Sequence, residues 1–284
     1  MAGYPQTPTG LARRPRRLSD EETEQRMLHA AVAMVQDAGL TVGLDHISFE
    51  DLIRDAGVSR SAAYRRWPHK DLFFSDLVRA LAEDIVPSIV VDELELMRRV
   101  IADHQDWLST PALRHGLVVE LIRQLSLLDF QTLYRSPAWR TYLALHATFM
   151  SIPGGQLRDQ VREAIARSEE RHLARVAVAW EQLTALFGYR LRPGLGVTFQ
   201  TLATVLDATM RGLVMMASST PDIAGDRVQA RPFGAASEQE WSLPALGLAS
   251  VATGFLEPDP EITWDEGRLT AARQALAAWS PPDV

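Results

Sequence analysis

The sequence predicts an all-α protein, because apolar residues recur at helical spacing along most of the chain and prolines and glycines punctuate the segments. No run of alternating apolar and polar residues is long enough to demand a strand, and no solenoid-like repeat period is present. With 284 residues, 46% hydrophobic and 23% charged, the chain suits one or two domains with ample buried core. No apolar run approaches the roughly 18 residues that cross a bilayer, and no hydrophobic signal segment follows the Arg-rich start. We therefore expect a cytoplasmic protein with no membrane partner. The lack of cysteine excludes disulfides, thiolate nucleophiles and Cys-based metal sites.

Each element follows from local signals. Residues 1–18 are rich in Pro, Gly, Thr and Arg and lack apolar periodicity, which reads as a disordered basic arm. Ser19 and Glu22 form a capping-box pattern before Met27, Leu28, Ala31, Val32 and Val35, and Gly39 closes that helix. Ser48 caps a second helix with Phe49, Leu52, Ile53 and Ala56 on one face, ended by Gly57. Ser59 caps a third, very short helix to about Arg66; Pro68 breaks it, and Lys70 opens a fourth that Pro87 ends near Val86. Further helices are expected at about 92–109, 112–128, 137–150, 157–187, 197–218, 242–256 and 266–279. The 157–187 segment has a charged first half and an apolar second half, so it should run from solvent into the core, with Glu169 and Glu170 on a solvated face. Residues 219–240 have no clear period and read as a poorly ordered loop.

Two short helices separated only by Gly57 and Val58 have the dimensions of a helix-turn-helix, in which the first braces the second across a DNA backbone. Charge supports that placement. The net charge is −7, yet residues 1–70 carry ten basic and nine acidic side chains, while the remainder carries nineteen and twenty-seven. Only the front end favours phosphates. The helix from Ser59 to Arg66 is small and polar at its start, so its amino end can enter a major groove, with Arg60 as the candidate for guanine readout. Arg13, Arg14, Arg16 and Arg17 either reach an adjacent minor groove or form a solvated tail.

The run Ile47-Ser48-Phe49-Glu50-Asp51-Leu52-Ile53-Arg54-Asp55-Ala56-Gly57-Val58-Ser59, followed by Tyr64, Trp67, Lys70, Asp71 and Leu72, resembles the signature of TetR-type (tetracycline-repressor-like) regulators over about residues 24–80. The resemblance implies phosphate contacts for Tyr64 and for Lys70, the only lysine in the chain. Ser48, Ser59, Ser61, Arg65, Arg66 and His69 complete the expected DNA-contacting set. Trp67 stands where that family more often has phenylalanine, and Ala63 where leucine is common. The implied organisation is an arm (1–18), a helix-turn-helix DNA-binding domain with its connecting helix (19–86), and a helical ligand-binding and dimerisation domain (87–284).

Residues 241–256 contain no charge, and residues 197–218 contain only Asp207 and Arg211. Helices so apolar must be covered on most sides, either within the chain or by a second copy in a two-fold homodimer. Between residues 104 and 187, His104, Trp107, Phe130, Trp139, Tyr142, His146 and Trp180 form an aromatic-rich set with a few polar tips. That mixture suits either core packing or a cavity for a small apolar or aromatic ligand. By resemblance, the ligand would move the fourth helix and respace two DNA-binding heads on a near-palindromic operator, relieving repression. A large domain that senses a protein partner is the alternative. The sequence has no His-Glu-x-x-His, Gly-x-Ser-x-Gly or Walker loop and no clustered histidines, so we expect no enzyme activity, metal or cofactor.

Overall fold

The computed structural model describes residues 18–38, 48–83 and 91–279; the basic arm, with Arg13, Arg14, Arg16 and Arg17, lies outside them. Within these residues the fold is all-α, with twelve α-helices and two minimal two-stranded sheets. No helix among them is long and apolar enough to cross a membrane.

The first helix, α1 (Asp20–Ala38), starts at the expected capping box. Ser19 Oγ accepts from the Glu22 amide at 3.0 Å, and Glu22 accepts from the Ser19 amide at 2.9 Å. Thr23, Met27, Ala31 and Val35 recur every four residues and are buried along one stripe. That stripe faces α2 (Phe49–Asp55), α3 (Arg60–Arg66) and α4 (Lys70–Glu83). Ser48 and Ser59 cap α2 and α3 by accepting from the amides of Asp51 and Ala62. Between them Gly57 takes φ +63°, a left-handed conformation that a side chain would strain. Phe49, Trp67 and Phe73 form the small core beneath α3, with ring centroids 5.0 to 6.4 Å apart.

Helix α4 also packs on α7 (Pro137–Ser151) and α8 (Gln156–Leu186), which joins the front bundle to the rest of the chain. The large part continues with α5 (Val91–Asp103), a 3-10 turn at Gln105–Leu108, and α6 (Pro111–Arg135). Helix α6 outlasts the expected end near 128 because Ser126, Phe130 and Leu133 continue its buried stripe. Thr110 and Ser136 cap α6 and α7, and Pro111 and Pro137 occupy first-turn positions where a missing N–H costs nothing.

Helix α8 departs in part from expectation. Its apolar second half buries Ala177, Thr184 and, at its end, Phe187, with Leu173, Val176, Trp180 and Leu183 half-buried, but its charged first half also buries Val161, Ala164, Ile165 and Ser168. Different faces of one long helix carry the charge and the packing, so the core is not confined to the apolar half. After α9 (Phe199–Ala217) and α10 (Asp222–Gly225), β2 (Arg227–Ala230) pairs antiparallel with β3 (Gln239–Ser242). The region expected as a poorly ordered loop is thus a hairpin, pinned by fully buried Trp241 and by His115. Strand β1 (Tyr189–Leu191) likewise pairs with β4 (Leu256–Pro258), tying the end of α8 to the end of α11 (Leu243–Phe255); α12 (Glu266–Ala278) closes the chain. Strands of three or four residues are too short for alternation to reveal.

Candidate nucleic-acid interface

The α2-turn-α3 unit has the helix-turn-helix dimensions that the sequence implied. Because α3 buries Ala62 and Ala63, the intervening face must point outward, and Ser59, Arg60, Ser61 and Arg65 are exposed. Tyr64 is half-exposed, and Pro68, His69 and Lys70 form an exposed edge leading into α4.

Two of these groups converge on Glu50 of α2. Arg60 Nη2 and the Tyr64 hydroxyl each donate to Glu50 Oε1 at 2.8 Å. The hydrogen bonds from Tyr64 and then Arg60 hold the Glu50 carboxyl below its ordinary range, and the charge of Lys70 acts in the same direction. Lys70 makes no ion pair or hydrogen bond through its side chain among the described residues. The unpaired ammonium therefore sits at the amino terminus of α4, where free N–H groups also favour an anion.

The remaining arginines of α3 are engaged by acidic side chains of α1 and α4. Arg65 Nε donates to Asp20 at 2.9 Å. Arg66, half-buried, donates to Glu24 at 2.8 Å and to Asp76 at 3.1 Å, and its guanidinium lies 5.1 Å from the Trp67 ring. Arg66 thus faces the α1 and α4 side. The hydroxyls of Ser48 and Ser59 are occupied as helix caps, and Ser59 Oγ lies 3.2 Å from Ser61 Oγ.

The aromatic set of the large part divides. Trp139 and Tyr142 stack at 4.8 Å on α7, and the His146 ring follows at 4.2 Å from Tyr142. Tyr142 donates to Glu169 of α8, and Arg211 of α9 donates to Glu169 at 2.8 Å and also to Tyr142. Arg211 further pairs with Asp207 at 2.6 Å, and His172 lies 3.2 Å from Asp207. Burial alone would raise the Glu169 carboxyl, but the hydrogen bonds from Arg211 and Tyr142 outweigh it and hold it low. Among the described residues no hydrogen bond, ion pair or ring contact joins this cluster to His104 and Trp107, which pair with each other at 4.2 Å. Phe130 stacks on Tyr134 at 5.7 Å, and Trp180 packs half-buried on α8.

Two uncharacterized HTH-type transcriptional regulators, from two strains of Mycobacterium tuberculosis, are each 31% identical to this chain over 71 residues. The match covers 25% of this chain and 35% of each relative, so it spans about a third of the length of the curated proteins it matches. Over that stretch the chain is similar to helix-turn-helix regulators. No family model matches the chain, and no solved structure does.

Sequence reasoning missed Glu50, Asp76, Glu169, Asp207 and Arg211 as site residues. Glu169 was expected on a solvated surface; instead it is half-buried between α7 and α9, while its neighbour Glu170 is exposed as expected. A usable signal was present: Asp207 and Arg211 are four apart and are the only charges in an otherwise apolar helix. Isolated charges on such a helix need an internal partner.

Proposed function

We propose that this protein is a sequence-specific DNA-binding transcriptional regulator of the TetR type, acting as a homodimer and released from DNA by a small molecule. The observation that carries the reading is the outward face of α3 with the adjoining start of α4. Arg60 and Tyr64 gather there on one carboxylate, with Lys70 exposed at the start of α4, on a helix-turn-helix whose chain is similar to helix-turn-helix regulators. In this reading α3 enters the major groove, Arg60 reads a base edge, and Tyr64 and Lys70 hold phosphates.

Dimerisation is supported by α9 and α11, which pack side by side. Helix α11 buries Ala245, Leu248, Ala249 and Ala252 within the chain, but Ser250 and Gly254 are exposed and Leu246 and Val251 half-exposed. Helix α9 exposes Thr204, Ala208, Met215 and Met216, and turns Asp207 and Arg211 toward α8 and α7. An uncharged face of this kind suits a two-fold contact that sets two copies of α3 about 34–36 Å apart.

Sensing is assigned to the Trp139, Tyr142, His146 cluster with Glu169 and Arg211. Helix α4 packs on both α7 and α8, the helices that carry most of that cluster. A ligand that favours a different arrangement there would shift α4 and the spacing of the heads, in proportion to its differential affinity for the two states. The test is titration of random-sequence duplex DNA with the purified protein, followed by fluorescence anisotropy over a range of salt. Binding whose affinity falls steeply with salt supports the reading, and failure to bind at low salt rejects it.

A further inference from the structure

We propose that Glu50 is a specificity-determining residue of this surface: its carboxylate competes with DNA phosphates for Arg60, so that α3 yields this guanidinium only where a base edge replaces it. The inference rests on the reading of α3 as the recognition helix.

The geometry carries it. A single oxygen, Glu50 Oε1, accepts from Arg60 Nη2 and from the Tyr64 hydroxyl, both at 2.8 Å. Arg60 and Tyr64 are four residues apart on α3 and share a face, while Glu50 lies in the first turn of α2, where the helix amino terminus favours a carboxylate. The pair lies at the surface, with the Arg60 side chain 71% and the Glu50 side chain 41% exposed, so it exchanges readily for another acceptor.

A phosphate backbone presents negative charge at every step of any duplex, and Glu50 repels it while occupying the nearest guanidinium. Guanine O6 and N7 are uncharged acceptors, which a carboxylate repels far less than a phosphate, and Glu50 can itself accept from cytosine N4. Lys70 carries no such internal partner among the described residues and stays available for phosphate. Two neighbouring cations are thereby divided between tasks. Lys70 supplies sequence-independent attraction, and Arg60 is withheld until a base edge is present.

The test uses the full chain, a duplex that the wild-type protein recovers from a random pool, and a scrambled duplex of the same composition. Glu50→Gln keeps an acceptor for Tyr64 but removes the charge. Its affinity for the scrambled duplex should rise, with a salt slope steeper by about 0.9. The ratio of operator to scrambled affinity should fall about tenfold. In an Arg60→Gln background the same change should move that ratio by less than about twofold, since the effect passes through Arg60. Glu50→Asp, which keeps the charge, should retain most of the discrimination and serves if Glu50→Gln does not fold. If wild type discriminates and Glu50→Gln does so equally, or if its effect persists without Arg60, the role of Glu50 is wrong and the reading of α3 stands. If wild type does not discriminate at all, both fall together.

Discussion

The indole N–H of Trp67 donates to Asp76 Oδ2 at 2.9 Å, fastening the end of α3 to the second turn of α4. Trp67 is fully buried, and Asp76 also receives Arg66 at 3.1 Å and Arg79 at 2.9 Å. The resemblance family more often has phenylalanine at this position, but phenylalanine has no donor for Asp76. Trp67→Phe should therefore destabilise the protein by about 2 kcal/mol, through a lost hydrogen bond to a charged acceptor and a small void. Urea unfolding of both proteins measures it; a difference within about 0.5 kcal/mol, as at an ordinary surface site, would show that the bond contributes nothing.

Lys70→Ala should weaken binding to all duplexes alike and reduce the slope of log affinity against log salt by about one ion. Anisotropy titrations at several salt concentrations read it directly. An unchanged slope would remove Lys70 from the phosphate-binding set.

Stability should decline with pH through two carboxyls. Burial pushes Glu93 of α5 up to about 8, with Asp129 of α6 adding to the shift. Burial likewise pushes Asp129 up to about 7, with Asp207 adding and His172 opposing. Both folded-state values lie above the unfolded ones near 4, so the folded state binds the extra protons. The resulting stabilisation is fully present below about pH 4 and is lost as pH rises through about 7 to 8. Glu93→Gln imitates the protonated form, so at pH 9 it should be more stable than wild type by about 1 kcal/mol or more. Equal stability of the two proteins at pH 9 by urea unfolding would contradict the assignment.

The β2–β3 hairpin should depend on one histidine. Because the Phe233 carbonyl only accepts, His115 Nε2 must donate to it at 2.7 Å, which leaves Nδ1 to accept from the Tyr189 hydroxyl at 2.6 Å. The approach is close: a Cβ on Gly234, whose φ is +73°, would stand 2.7 Å from the His115 ring. His115→Ala should cost about 2 kcal/mol and release amide protection in 227–242, with protection in α1 unchanged. Hydrogen exchange resolved by residue decides it; a hairpin still protected in the variant would show that Trp241 packing suffices.

The front bundle was legible because its determinants are local. Ser19 with Glu22, Ser48, Gly57 and Ser59 each act within four residues, and the buried stripes of α1 and α2 follow helical period. Helix existence in the large part was legible for the same reason, since Thr110-Pro111 and Ser136-Pro137 are self-contained start signals. What stayed hidden depends on distant partners. Glu50 meets Arg60 and Tyr64 across a turn, Glu169 meets Arg211 across 42 residues, and His115 meets Phe233 across 118. No periodicity encodes such meetings. The aromatic set was likewise grouped by proximity in sequence, whereas the fold joins Trp139, Tyr142 and His146 with Glu169 and Arg211 and gives His104 and Trp107 each other.

The most direct test of the central claim is selection of bound duplexes from a random pool at near-physiological salt, carried out in parallel with wild type and Arg60→Ala. The account predicts that wild type enriches an inverted repeat with half-sites about one helical turn apart, 10–10.5 base pairs centre to centre or a multiple of that, and that Arg60→Ala loses preference at one position in each half-site. Recovery of no preferred sequence by folded wild-type protein would contradict it.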